Sequence, residues 1–323
     1  MKIKDCYKQI NRLINDSSTV FIVGHKDLDL DSLGSCLAVY NYAINMKKTA
    51  YFILNDKRLE AGVSKVIKEL NNTIKFIDSD KALKLKNSDS ILFVIDTNKS
   101  YLLPSPNLSQ EFEKKIVIDH HEIGEGTLIN EDIVVIDTDA SSTCEIMTEF
   151  LKLNNFIIDS YLATILLSGI VLDTNNYVIK TDSNTFYYSY YLTTCGANPN
   201  KVQYLLKQDL NKYIKRQKMI TNVKTINHIA ITKGAQEDIY RREELAKTAD
   251  TLLLFNNIEA SFVVARIDKN TIGISARSLG NINVGQILGM LGGGGDVHEA
   301  AARINNTTTY KVEKEILNMI KLL

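Results

Sequence analysis

The stretch Val20-Phe-Ile-Val-Gly-His-Lys-Asp-Leu-Asp-Leu-Asp-Ser-Leu-Gly-Ser35 places one histidine and three alternating aspartates within seven residues, directly after an apolar, β-rich run. In extended backbone side chains repeat every two residues, so Asp27, Asp29 and Asp31 are expected to project to one side. Such a concentration of like charge repels itself unless a cation holds it. A strand pattern precedes the acids and a Ser-Leu-Gly-Ser helix start follows, so they are expected at the carboxyl end of a strand, where open α/β sheets put ligand sites. The same residue types close two further apolar runs, Val94-Ile-Asp96 and Val117-Ile-Asp-His-His121, and Asp173 ends an apolar helical pattern. Together His25, Asp27, Asp29, Asp31, Asp96, Asp119, His120, His121 and Asp173 are oxygen or imidazole ligands with no cysteine among them. That set argues against structural zinc and suits Mn²⁺ or Mg²⁺. There are more carboxylates than one ion needs, which points to two ions sharing a bridge, an arrangement suited to in-line displacement at phosphorus.

The elements that must position these residues follow from periodicity. Short β-rich runs recur at Val20 to Val23, Thr49 to Leu54, Ile91 to Ile95, Lys115 to Ile118 and Ile133 to Ile136, with helical patterns at Ser32 to Lys48, Ala61 to Asn71 and Ser142 to Leu153. Alternating strand and helix implies a parallel sheet covered on both faces, with the chemistry-bearing strand ends converging on one edge. From Ile157 to Tyr191 the pattern is mostly helical. Its apolar run from Leu162 to Leu172 is eleven residues long, far short of a membrane span of roughly 20, and reads as a buried core helix. Asn198 to Val223 reads as an amphipathic connector. Beyond it, strand patterns at His228 to Thr232, Ala260 to Ile267 and Thr271 to Ala276, and helical patterns at Arg242 to Leu254 and Val284 to Leu291, lead to the glycine run Gly292 to Gly295 and a terminal helix from Tyr310. The expected organisation is a first domain over 1–197, a helical linker over 198–223 and a second domain over 224–323.

Composition bounds the function. Lys plus Arg and Asp plus Glu both total 38 in 323 residues, so no global basic field favours long nucleic acid, while a small phosphorylated ligand remains compatible. Cys6, Cys36, Cys144 and Cys195 are widely spaced without a C-x-x-C pair, and no secretory signal is present, so reduced thiols and a cytoplasmic location are expected.

In order and spacing, G-H-K-D-L-D-L-D-S-L-G-S, V-I-D-T, V-I-D-H-H, A-S-S-T and G-I-V-L-D-T-N-N-Y resemble the DHH phosphoesterases, named for the equivalent of Asp119-His120-His121. The later I-S-A-R-S-L-G and G-G-G-G segments resemble the DHH-associated domain that follows in many members. Further similarity, at A-S-S-T-x-E and across Ala246 to Val284, is to the GdpP-type cyclic-di-AMP phosphodiesterases. The resemblance implies a Rossmann-like DHH domain with a parallel sheet, a smaller α/β DHH-associated domain and an active site in the cleft between them. It implies two manganese ions, with Mg²⁺ or Co²⁺ as substitutes: His25 and Asp29 on one, Asp31, His120 and Asp173 on the other, Asp96 bridging and Asp27 a bystander. His121 is expected to contact the phosphate or protonate the leaving oxygen, and Asp119 to orient its neighbours. Arg277, with Ser275, Gly293, Gly294, Gly295 and His298, is expected to grip the substrate.

The implied reaction is hydrolysis of cyclic-di-AMP to 5′-pApA, and onward to AMP, by water activated between the two metals. The alternatives are a nano-RNase or 3′-phosphoadenosine 5′-phosphate phosphatase of the same fold, and a catalytically inactive nucleotide sensor. The partner is a small nucleotide, cyclic or a short oligonucleotide, and a homodimer is left open. GdpP-type members carry membrane helices, a sensory domain and a degenerate cyclase-like domain ahead of the catalytic pair. Their absence from this sequence suits a standalone catalytic form or the catalytic part of a longer protein.

Three departures stand out. Leu28 replaces a usual proline, Asn98 a frequent histidine, and Asp296 the histidine that often closes the glycine loop, with His298 two residues on. His228, on a strand pattern outside the motifs, is expected to be structural. The aromatics of Phe186 to Tyr191 are expected to pack into the core in preference to stacking on adenine.

Overall fold

The computed structural model describes residues 1–55, 59–124, 126–128, 131–207 and 209–321, so Gln208 of the expected linker and Leu322 and Leu323 of the expected second domain lie outside the described residues. The chain forms two compact units, Met1–Lys207 and Gln208–Leu323.

In the first unit the order is α1 Ile3–Asn15, β1 Thr19–Val23, α2 Leu30–Asn45, β2 Thr49–Ile53, α3 Ala61–Leu70, β3 Phe76–Ile77, α4 Ser79–Leu85, β4 Ser90–Ile95, β5 Lys114–Asp119, β6 Ile133–Ile136, α5 Thr143–Leu153, α6 Ser160–Asp173, α7 Ser183–Thr194 and α8 Pro199–Leu205. The six strands pair in the order β3-β2-β1-β4-β5-β6, every pair parallel, as the strand–helix alternation implies. The chain runs outward from β1 through β2 to β3 and returns to place β4 on the other side of β1. The sheet's switch point therefore lies between β1 and β4, where Val23 and Val94 stand in register.

Strand residues alternate between two cores. Val20 and Ile22 join the larger one under the long helices, and Phe21 and Val23 face the other side. That second face is covered by α4 and by the chain around Leu103, Leu108 and Phe112 rather than by a full helical layer. Helix α1, outside the elements expected from sequence, buries Ile3, Cys6, Ile10 and Ile14 at helical spacing against the larger core.

The run expected to be a core helix lies in α6, whose residues Leu162 to Val171 are all buried. Helix α6 approaches α2 closely: a Cβ on Gly169 would lie 2.8 Å from the Asp31 Cα and 2.5 Å from the Cys144 sulfur. Only glycine lets the end of α6 reach the start of α2.

The aromatic run on α7 corrects in part the expectation of core packing: Tyr191 packs against the core, but Phe186, Tyr187 and Tyr190 do not. The helix buries the stripe Thr185, Ser189 and Leu192, leaving Phe186 57% and Tyr190 66% exposed. Two small polar side chains and Leu192, at i, i+4 and i+7, make the contact, and the rings of Phe186, Tyr187 and Tyr190 are turned outward.

The second unit contains α9 Leu210–Ile220, β7 Lys224–Ile226, β8 Ile229–Lys233, α10 Arg242–Leu252, β9 Ala260–Asp268, β10 Thr271–Ser278, α11 Val284–Gly289, β11 Gly294–Gly295, β12 Glu299–Asn305 and α12 Thr309–Ile320. Its sheet order is β11-β12-β10-β9-β8-β7, antiparallel except for the parallel β8–β9 pair. The connector stretch divides between the units, α8 packing on α6 and α3, and α9 on α10 and β8. His228 lies in the β7–β8 hairpin turn rather than on a strand. Asn227 and His228 there have φ of 46° and 64°, the left-handed pair a two-residue hairpin turn requires.

Candidate metal centre

Asp27, Asp29 and Asp31 do not share an extended segment. Asp29 caps α2, its Oδ1 accepting from the Ser32 N–H at 2.9 Å, so the backbone turns helical between Asp29 and Asp31. Asp27 is left exposed in the preceding turn. The one-sided array predicted from strand periodicity is thus replaced by a strand–cap–helix corner, because a cap aspartate satisfies an otherwise unpaired helix N–H.

The corner meets the ends of β4, β5 and α6. Asp96, 2% exposed, sits just past β4 at φ 59°, a left-handed conformation that aspartate tolerates better than most residues. Its Oδ2 lies 3.4 Å from His25 Nε2 and its Oδ1 lies 3.7 Å from His120 Nε2, so the two oxygens face different imidazoles. His25 Nε2 is also 3.6 Å from Asp29, and His120 Nε2 is 3.1 Å from Asp173 and 4.0 Å from Asp31. Two groups of potential ligand atoms result, His25–Asp29–Asp96 and Asp31–His120–Asp173, with a third overlapping set at Asp96–His120–His121.

Both ring nitrogens of His120 are buried without an aligned hydrogen bond. A buried polar atom left without a hydrogen bond costs stability. An imidazole nitrogen aimed among three carboxylates satisfies itself by donating its lone pair to a cation, so the residues present fit a divalent ion. Electrostatics agree. Burial, followed by repulsion from Asp96 and Asp173, pushes the Asp31 carboxyl well up. Burial likewise raises Asp173, against the pull of His120. Burial would raise Asp96 too, but His25, His121 and His120 hold it below the ordinary range. Burial also pushes the Cys36 and Cys144 thiols well up, and neither belongs to the three ligand groups.

Asp119 is fully buried, and its Oδ1 accepts from the His120 N–H at 2.8 Å and pairs with His121 Nδ1 at 2.8 Å. This fixes the His121 ring while leaving its Nε2 for another partner. Burial opposes the charged form of His121, but the Asp119 bond and nearby Asp96 raise its pKa to about 9.

The helix start of α5 is a contribution for which the sequence reading assigned no role. The N–H groups of Thr143 and Cys144 donate to Asp31 Oδ2 and Oδ1, each at 2.8 Å, so a helix N-terminus holds that carboxylate by both oxygens. The Thr143 hydroxyl donates to Asp96 Oδ1 at 2.8 Å. The signal lay in Ser142-Thr-x-Glu145, a capping-box pattern marking a helix start. Asn98, noted as a departure, donates to the His121 carbonyl at 3.0 Å and steadies the segment after the histidines.

In the second unit, Ser275, Arg277, Gly294 and Gly295 line a cavity of about 440 Å³ together with Arg242 and Arg303; Gly293 and His298 lie outside its lining. Arg277 is already engaged, its Nε donating to Asp250 at 2.7 Å and its Nη2 lying 3.5 Å from Glu299. The glycine run is the first strand of a hairpin, Gly294 and Gly295 pairing with Ala301 and Ala300. A Cβ on Gly293 would meet the Ala301 carbonyl oxygen at 2.4 Å, so close backbone packing alone demands glycine there. Asp296 turns that hairpin, its Oδ1 accepting from the His298 and Glu299 N–H groups at 2.7 and 2.9 Å. His298 Nδ1 lies 3.2 Å from the Ser278 carbonyl oxygen, so the ring folds over the end of β10.

Comparison with known proteins adds to this geometry. The profile of the DHH family, N-terminal domain, matches residues 19–170, and that of the DHHA1 domain matches residues 220–323. The cyclic-di-AMP phosphodiesterase GdpP of Geobacillus thermodenitrificans is 34% identical over 318 residues, covering 96% of this chain and 48% of that protein. Its namesake from Bacillus subtilis is 33% identical over 320 residues, covering 96% of this chain and 49% of that protein. The chain thus spans about half the length of the curated relatives it matches. An exopolyphosphatase-related protein from Bacteroides fragilis superposes with a TM-score of 0.84 over 98% of this chain and 97% of that chain at 18% identity, which shows a shared fold.

Proposed function

Because the chain belongs to the DHH family, with a DHH domain followed by a DHHA1 domain, we propose that it is a divalent-metal-dependent phosphodiesterase acting on a cyclic dinucleotide, cyclic-di-AMP foremost. The observation that carries the reading is Asp96, a buried carboxylate whose two oxygens face His25 and His120 beside Asp29, Asp31 and Asp173. The substrate class follows that for which the GdpP relatives are named, cyclic-di-AMP.

In this reading His25, Asp29 and Asp96 would hold one Mn²⁺, and Asp31, His120 and Asp173 the other, with Asp96 placed to serve both. When bound, such a pair of ions supplies Lewis-acid activation of water and of the phosphoryl oxygens. The chain's own residues do the rest. The amides of Thr143 and Cys144 keep Asp31 oriented, and the Thr143 hydroxyl does the same for Asp96. His121, held at Nδ1 by Asp119, delivers a proton from Nε2 to the leaving 3′ oxygen, giving 5′-pApA. Ser275 and Arg277 bind a phosphate of the substrate, which requires Arg277 to loosen its hold on Glu299 while Asp250 keeps its Nε side fixed.

The test is turnover of cyclic-di-AMP, cyclic-di-GMP, pApA and 3′-phosphoadenosine 5′-phosphate under identical conditions with Mn²⁺, Mg²⁺ and Co²⁺. Cyclic-di-AMP with Mn²⁺ is expected to be fastest, and chelation to abolish all turnover. Faster cleavage of pApA or of the phosphoadenosine would replace this reading with the nano-RNase or phosphatase alternative, and binding without turnover would make the protein a sensor.

A further inference from the structure

We propose that Tyr177 and Phe186 form a stacking platform that receives a nucleobase of the substrate beside the metal centre, an inference that rests on the phosphodiesterase reading. The two rings are stacked, with centroids 5.4 Å apart and planes inclined by 19°. Phe186 is 57% exposed, and α7 is held to the core by Thr185, Ser189 and Leu192, so beyond its contact with Tyr177 the ring is left to solvent.

Two independent connections tie this pair to the centre. Tyr177 follows Asp173 by four residues through a compact turn: the Tyr177 N–H donates to Thr174 Oγ1 at 3.0 Å, and the Val178 N–H donates to the Thr174 carbonyl at 2.8 Å. Phe186 adjoins Thr185, whose hydroxyl donates to Glu145 at 3.0 Å. Glu145 in turn accepts from Ser141, two residues before the Thr143 that touches Asp96. Both aromatic residues are thereby tied by short chains of contacts to segments that carry the carboxylates.

The backbone reinforces the point. Asn175, Asn176 and Tyr177 have φ of 46°, 59° and 64°, three successive residues in the left-handed region. Asparagine visits that region readily, but for a bulky tyrosine it is an outlier that persists only where its surroundings hold it. They do so here, because the Tyr177 hydroxyl is 3.1 Å from Ser189 Oγ. The result is a rigid aromatic pair with an exposed ring next to a site that faces phosphate. Bases stack on such faces whatever their identity, so the platform adds affinity and leaves the choice among bases to other contacts.

The full-length chain loaded with Mn²⁺, titrated by calorimetry with AMP and with ribose 5-phosphate, tests this. Wild type is expected to bind AMP the more tightly. Phe186→Ala should weaken AMP about tenfold while leaving ribose 5-phosphate affinity and Mn²⁺ stoichiometry unchanged, and Phe186→Trp should restore AMP binding. Since Phe186 is exposed, the variants fold, which the unchanged Mn²⁺ stoichiometry verifies. Equal wild-type affinity for the two ligands, equal losses for both in Phe186→Ala, or no loss for either would overturn the platform. So would a change of oligomeric state in Phe186→Ala with AMP binding intact, which would make the patch a protein interface. If wild type shows the expected preference yet cleaves no phosphodiester, the phosphodiesterase reading falls and the platform stands.

Discussion

The two units bury acidic side chains to opposite ends. In the second unit two acids withdrawn from solvent are met by cations of the chain. Glu313, 2% exposed, pairs with Lys224 at 2.8 Å and with Lys233, and Asp250 pairs with Arg277. In the first unit Asp31, Asp96 and Asp173 converge on one cluster; imidazoles hold the Asp96 carboxyl down, but burial with mutual repulsion drives Asp31 and Asp173 upward. Desolvating a charge is costly in both places. The second unit offsets that cost internally, fully enough at Glu313 to hold its carboxyl below the ordinary range. The first leaves its charge unbalanced, and the imbalance marks where a cation from outside belongs.

Breaking the first unit's arrangement should have the largest effect. Asp96→Ala removes the one carboxylate common to both ligand groups, so turnover is expected to fall at least about 100-fold. Metal analysis should show loss of both ions. In wild type, Mn²⁺ at a hundredfold excess over its Kd is expected to add about 2.7 kcal/mol of stability, and Asp96→Ala should not show that gain. Near-normal turnover or retained metal in the variant would remove the basis for the contrast between the units.

Arg277→Ala sharpens the comparison from the other side. It should weaken substrate binding by about 1.5–3 kcal/mol, the worth of a hydrogen bond to a charged group, with both ions retained. Metal loss equal to that of His120→Ala would instead give Arg277 a structural role.

Acidification should separate the units as well. Burial works to raise Glu313, but Lys224 and Lys233 hold its pKa below the ordinary 4.5. A depressed carboxylate contributes stability that is complete above its unfolded pKa and is lost as pH falls through the lower folded value. Denaturation at pH 7 and at progressively more acid pH should therefore show the second unit losing on the order of 1–2 kcal/mol, a loss reduced in Lys233→Met. A variant with an unaltered pH profile would show that the lysines do not set the Glu313 charge.

The smallest effect is expected at the glycine hairpin. Asp296→Ala should cost the second unit about 1 kcal/mol, because two turn N–H groups lose their acceptor, whereas Asp296→Asn keeps an acceptor and should be nearly neutral. If thermal melts rank the two variants equally, the carboxylate's charge rather than its hydrogen bonding matters there.

Much of the fold was legible because long apolar periodicity survives any tertiary context. The five longer strands of the first unit and the helices starting near Leu30, Ala61 and Thr143 follow the apolar pattern directly. Helix α1 shows the same periodicity, yet it lies ahead of the first motif and was not assigned. Strands β3 and β11 are two residues each and carry no pattern of their own. Strand β12, Glu299–Asn305, was obscured by three alanines and by the glycine run before it. Residue types with potential for chemistry were equally visible, since histidine and aspartate at strand ends are few.

Their geometry was not. Local spacing suggested a row of aspartates in extended chain, but helix capping by Asp29 decided that Asp31 enters from a helix and that Asp27 stays in solvent. Thr143 and Asp96 are separated by 47 positions in the chain, and their hydrogen bond exists only because α5 begins beside the end of β4.

The sequence by itself determined the fold class, the run of motifs and the oxygen-and-imidazole character of the candidate centre, because residue type and short-range periodicity are local properties of the chain. Only the tertiary structure decided that Asp96 faces two histidines, that a helix N-terminus grips Asp31, that Arg277 is held by Asp250 and Glu299, and that Phe186 faces water. Each of these depends on which segments meet, and that is set by burying apolar surface across the whole unit rather than by the residues that end up in contact.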